Sequence, residues 1–147
     1  MKLGILLLAA AVGCASVQTG KNQPGRISAS GTRFVQADGS PFDWRGITAF
    51  RLAEQVARGR EREAAAYLDW AAARGVTVVR VLAMARHLFA LTPEDGRRAL
   101  PRLLDLAADR GIHVEIVALA DTAELTIDLD AHVRAVGAIA AAHPNAL

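Results

Sequence analysis

One pattern occurs twice in the chain and limits what it can fold into. Arg74-Gly75-Val76-Thr77-Val78-Val79-Arg80-Val81-Leu82 and Arg110-Gly111-Ile112-His113-Val114-Glu115-Ile116-Val117-Ala118 each follow an Ala-rich helical run, stop at Arg-Gly and turn into a β-branched run. Gly75 and Gly111 suit the left-handed residue just past a helix end, where a Cβ is penalised. The Arg before each Gly sits at the negative end of the helix dipole. The Val- and Ile-rich runs read as strands buried on both faces. The unit is therefore helix, Gly stop, buried parallel strand.

The segments around this pair extend the alternation. Arg33 to Ala37, the Asp38-Gly39-Ser40 turn and Pro41 to Arg45 read as a β-hairpin. Gly46 to Phe50 continues as a short apolar strand, the first of the main sheet. Residues 51–62 mix charges around Gly59 and read as a loop or frayed helix start with a solvated charged face. Ala64, Tyr67, Leu68 and Ala71 form one stripe of a helix over 61–74. Thr92-Pro93-Glu94-Asp95 is a helix start, but Gly96 and Pro101 interrupt it. The expectation there is a short turn, then a helix from near Leu100 to Arg110 with Leu100, Leu103, Leu104 and Ala107 buried. A third helix is expected over 129–142, with Leu129, Val133, Val136 and Ala140 facing in, stopped by His143-Pro144. Asn145-Ala146-Leu147 opens another apolar segment.

A hairpin followed by β, α, β, α, β, α and the start of a β implies a parallel sheet with right-handed crossovers. Two architectures fit, an open doubly wound sheet or part of an eight-stranded barrel. An open nucleotide-binding sheet calls for a Gly-rich phosphate loop after its first strand, and Phe50-Arg51-Leu52-Ala53-Glu54 is not one.

Composition narrows function. The 147 residues suit one domain. A net charge of +2 with dispersed Arg argues against a nucleic-acid footprint. The single Cys14 permits no intrachain disulfide and no Cys-based zinc site, and no His-x-His or His-Glu-x-x-His pair is present, so no metal site is expected. Residues 1–14 read as a signal peptide: Met1-Lys2 is a minimal positive start, and the apolar run over 3–12 is too short to span a bilayer. Ala11-Val12-Gly13-Cys14 resembles a bacterial lipoprotein signal, in which Cys14 is the lipidated residue; an ordinary signal cut near Ala15 is the alternative. The expected locations are the cell envelope, through a lipid anchor, or the medium. Residues 15–30, rich in Ser, Gly, Gln, Asn and Pro, read as a flexible linker, so the folded part is expected over 31–147.

Four stretches carry a family resemblance. Gln36-Ala37-Asp38-Gly39-Ser40-Pro41-Phe42-Asp43-Trp44-Arg45-Gly46 resembles the start of cellulase-like glycoside hydrolases, the family 5 type of (β/α)8 barrel, where a hairpin closes the barrel floor. Gly75 to Val81 is similar to that family's second strand, Arg110 to Glu115 to its third, and His143-Pro144-Asn145-Ala146-Leu147 to the run before its fourth. The resemblance implies the N-terminal portion, about three βα units, of a (β/α)8 barrel preceded by a β-hairpin. It implies a parent enzyme that hydrolyses O-glycosyl bonds of a β-linked polysaccharide without a cofactor. In that family the acid/base and nucleophile Glu residues lie on strands four and seven, so both are expected after Leu147 and the fragment is expected to be inactive. The resemblance gives Arg80 the role of orienting the nucleophile carboxylate; an ion pair with Glu115 is the alternative for an Arg on a buried strand. Among the acids Glu115, Asp121 and Glu124, Asp121 lies just after the third strand, where barrel active-site loops start. It is the candidate for binding substrate, with loop capping beside Thr122 as the alternative. The family's sugar-binding His after strand three has no counterpart in Ala120-Asp121-Thr122. Trp44 and Trp70 are expected to pack rather than stack on sugar, and His113 to be structural. A rival reading is a non-catalytic envelope lipoprotein that binds a sugar or a protein partner.

Overall fold

The computed structural model describes residues 23–123 and 126–147; the run read as a signal peptide, Cys14 and Glu124 lie outside them. The elements are β1 (Ser28–Ser30), β2 (Arg33–Val35), β3 (Gly46–Thr48), α1 (Leu52–Ala57), α2 (Glu61–Ala72), β4 (Val78–Leu82), α3 (Arg86–Phe89), α4 (Pro93–Ala108), β5 (His113–Val117) and α5 (Leu129–Ala142). Strands β3, β4 and β5 form a parallel sheet in that order, and Ala146 bridges in parallel to Val114 as a fourth strand opens. Helices follow the strands as βα units require. Val79, Val81, Ile112 and Val114 join Leu68, Leu100, Leu103 and Leu104 in the core between sheet and helices.

The doubled motif closes both helices in the same way. Gly75 and Gly111 have φ of 72° and 69°. Gly75 N–H donates to Ala72 O and Val76 N–H to Ala71 O; Gly111 N–H donates to Ala108 O and Ile112 N–H to Ala107 O. This is the Schellman pairing, in which a left-handed residue lets two N–H groups reach back to the last carbonyls. The arginines serve those carbonyls too: Arg74 Nη1 donates to Trp70 O (3.2 Å) and Arg110 Nη1 to Leu106 O (2.7 Å). Arg110 also grips Asp69 with Nε and Nη2, tying α4 to α2.

Four expectations change. First, residues 23–30, read as tether, are held in place. Gly31 (φ 60°) turns β1 back onto β2, Arg26 Nη2 donates to Ala141 O, and the His113 ring meets Gly25 O through Nε2 at 2.9 Å. These residues are fixed by backbone pairing without an apolar side-chain period, so a search for hydrophobic repeats passes over them.

Second, the region 51–62 contains helix α1, with Leu52, Ala53, Glu54 and Val56 buried. Its charges do not simply face solvent. Arg51, Arg58 and Arg60 converge on the Glu54 carboxylate at 3.0, 2.8 and 2.8 Å, and Glu54 is 1% exposed.

Third, α4 runs unbroken through Gly96 and Pro101. Thr92 caps it by accepting from Asp95 N–H. A Cβ on Gly96 would stand 1.6 Å from Ala83 O, so glycine is what lets the helix lie against the end of β4. An interior Pro costs about 3 kcal/mol, and burying Leu100, Leu103 and Leu104 completely, at roughly 1.5–3 kcal/mol each, outweighs it.

Fourth, α5 is rotated from its expected face. Val136 is buried and Ala140 packs on the core, but Leu129 and Val133 are exposed, and His132 is buried instead. The ring can be buried because both nitrogens are served: Arg97 Nη1 donates to Nδ1 (2.7 Å) and Nε2 donates to Ala118 O (3.0 Å).

The expected hairpin is present in a reduced form. The Asp38-Gly39 turn forms, with Ser40 N–H and Oγ donating to Asp38 Oδ1, but Val35 meets the returning chain only through a bridge to Pro41. Phe34 and Phe42 flank Trp44, and the edge of Phe42 packs on His113, which seats this unit at the N-terminal end of the sheet. Trp70 packs beside Tyr67 under the Arg74 guanidinium.

Candidate functional site

Strand alternation divides the sheet residues between two faces. Val79 and Val81 go to the helix side, so Val78 and Arg80 take the other, which would be the interior of a closed barrel. Parallel register places Thr48, Arg80 and Glu115 side by side on three strands. Arg80 Nη2 donates to Glu115 Oε1 at 2.8 Å. That hydrogen bond, and then the Glu115 charge, push the Arg80 pKa above its ordinary value. The expected partner of Arg80 is therefore the one observed. The expected burial is not: the side chain is 50% exposed, because among the described residues the inner face is open. Trp44, Gly46, Ile47 and Val78 complete the walls of a shallow cleft of ≈ 180 Å³ around the pair. Among the described residues Glu115 is the one carboxylate lining it.

A second cluster lies at the C-terminal ends of the strands. Leu82 pairs with Val117, and Ala83 N–H donates to Val117 O, so the loops after β4 and β5 leave the sheet together. Asp121 lies in the second of these loops at φ 53°. It reaches across, accepting from the N–H groups of His87 (2.5 Å) and Leu88 (3.1 Å) through Oδ2, with Oδ1 3.1 Å from His87 Nδ1. Partial burial works to raise the Asp121 pKa; the N–H and ring of His87 and the N–H of Leu88 outweigh it and hold the carboxyl below its ordinary value.

Sequence reading thus found Arg80, Glu115 and Asp121, and offered the Arg80–Glu115 pair as one alternative, but it did not find the bonds from His87 to Asp121. Arg80 and Glu115 share the inner face, whereas Asp121 joins His87 in the loops. Thr48 and the Glu54 cluster were missed. Thr48 is a short residue in a short strand, and Glu54 stands among so many charges that composition alone points to solvent.

No protein-family model and no curated protein matches the sequence. Solved structures do match the fold. One is described as a glycoside hydrolase, at TM-score 0.62 and 19% identity, with 84% of this chain covered. Another is a family 5 glycoside hydrolase from Bacteroides vulgatus ATCC 8482, at TM-score 0.56 and 18% identity, with 86% covered. This chain spans about a third of either, 33% and 32%. In fold, the described residues are three βα units and the opening strand of a fourth from a (β/α)8 barrel of the kind found in those glycoside hydrolases.

Proposed function

We propose that the chain is the N-terminal part of a glycoside hydrolase that cleaves O-glycosyl bonds of a β-linked polysaccharide without a cofactor. The observation that carries this reading is Arg80, held on the inner face of a glycoside-hydrolase-type barrel segment and paired to Glu115 at 2.8 Å. A guanidinium has five donors in a planar fork suited to carboxylates, and Glu115 engages one of its nitrogens. Arg80 would hold a nucleophile carboxylate ionised and oriented. Retaining hydrolysis needs two carboxyls about 5 Å apart, and the cleft around Arg80 is lined by one, Glu115. The reading therefore assigns acid/base and nucleophile to strands beyond those described. It gives Asp121 a place in the substrate-binding loops. It also includes export, with the apolar run over 3–12 as the signal and Cys14 as the residue that carries a lipid anchor to the cell envelope.

The test is reducing-sugar release from soluble β-glucan and mannan. The 147-residue chain alone is expected to release none, and metal-free hydrolysis by it would overturn the assignment of the missing carboxyls. In a protein with the barrel complete, Arg80→Ala is expected to lower turnover by about 10²-fold, the order seen when one preorganised charge-stabilising donor is removed. Near-normal turnover would remove Arg80 from the mechanism. The rival is a non-catalytic envelope lipoprotein, in which the Arg80–Glu115 pair is a structural contact of the sheet. It predicts oligosaccharide or protein binding without turnover.

A further inference from the structure

We infer that His87 contacts ligand at the C-terminal mouth of the strands, its Nε2 accepting a hydrogen bond from a carbohydrate hydroxyl while Asp121 acts as a positioning residue. The ligand class rests on the glycoside-hydrolase reading; the geometry does not. An ionised carboxylate only accepts hydrogen bonds, so Asp121 Oδ1, 3.1 Å from Nδ1, selects the ring form that carries its proton there. The lone pair of the neutral ring is then on Nε2. The Asp121 side chain is 13% exposed and that of His87 48%, so the acid is covered and the imidazole is presented. Oδ2 fixes the backbone beneath the ring by accepting from the His87 and Leu88 N–H groups.

The same unit holds residues at strained backbone angles. Among the described residues, the two non-glycine residues at positive φ are Ala90 (55°), which ends α3, and Asp121 (53°). Such residues persist where the surroundings over-determine them, and they cluster at sites of function. Among the described residues no third His, Cys, Asp or Glu joins the pair. The pair presents a well-oriented acceptor on an anchored backbone, which suits a neutral hydroxyl donor.

Two measurements test this. In ¹⁵N-resolved spectra of the 147-residue chain, the His87 ring is expected as the Nδ1–H form, shifting toward Nε2–H in Asp121→Asn. Titration with cellohexaose or mannohexaose is expected to move the His87 Nε2 signal. A wild-type ring protonated at Nε2, or no shift at His87 with either sugar, overturns the inference. In the hydrolase with its barrel complete, His87→Ala is expected to raise KM for soluble β-glucan about 3- to 10-fold with kcat little changed, the worth of one neutral hydrogen bond. His87→Gln should restore part of the loss, and Asp121→Asn added to His87→Ala should cost nothing further. Unchanged KM in His87→Ala also overturns it. Absence of any hydrolysis alongside an intact sugar-induced shift at His87 would sink the hydrolase reading and leave this one standing.

Discussion

Glu54 is the residue whose removal should be felt most outside the candidate site. Its carboxylate is almost fully buried, while the three arginines around it are 37–58% exposed. The cluster therefore places one desolvated charge under a solvated cationic cover. Arg58 extends it by donating from Nη2 to Phe89 O, and Arg51 lies over the Phe89 ring, so α1 is linked to the end of α3. Glu54→Ala removes several charge-assisted hydrogen bonds, yet the arginines left behind can turn to water. Both effects together put the loss at about 2–4 kcal/mol. A urea unfolding midpoint within error of wild type would show that the arginines gain as much from solvent as they lose. Arg80 presents the contrasting case. Alternation and the β-branched run marked Arg80 as a charge on a strand face and offered Glu115 as an alternative partner, because strand register depends on backbone pairing that the sequence pattern encodes.

At the scale of elements, the two glycines of α4 and α5 should respond in opposite ways. Gly96 meets Ala83 O where a Cβ would stand at 1.6 Å, and a backbone oxygen at a strand end has little room to move. Gly96→Ala is expected to destabilise by about 2–3 kcal/mol through overpacking, despite a helix-propensity gain of about 1 kcal/mol. Gly137, also helical, has nothing within 4 Å of its Cβ position. Gly137→Ala should stabilise by about 0.5–1 kcal/mol. Thermal melts of the pair decide the matter, and shifts of the same sign would mean that α4 does not lie close against the end of β4. These helices also mark the limit of sequence reading. The helix-to-strand turns at Gly75 and Gly111 were legible because their geometry is local. The continuity of α4 was not, because Gly96 is explained by a neighbour from another element. The face of α5 was misjudged for the same reason: a His counts as polar until Arg97 and Ala118 are known to satisfy its ring.

For the whole molecule, the acidic groups set the response to pH. The Asp69 carboxyl is lowered first by its hydrogen bond from Arg110, against a raising effect of burial, and then by the Arg110 charge. Asp38 is lowered by the hydroxyl and then the N–H of Ser40, and Asp121 by the bonds described above. A carboxyl with a depressed pKa in the folded state takes up its proton more readily when unfolded. Its stabilising effect is therefore complete above the unfolded value of about 3.9 and is lost as pH falls through that value toward the folded one. Urea midpoints should decline between pH 5 and pH 3, and Asp69→Asn should make that decline shallower. An unchanged slope in the variant would mean that the Arg110 grip on Asp69 does not persist in solution.

The twin helix endings have a further consequence for how the chain reaches this arrangement. Each unit carries its own stop signal and its own turn, and each new strand pairs with the strand one unit before it. The entropy of loop closure is thus met in similar modest instalments and never as one long-range search. Assembly can begin wherever one helix first settles on its strand and proceed outward unit by unit, which keeps contact order low for a parallel sheet.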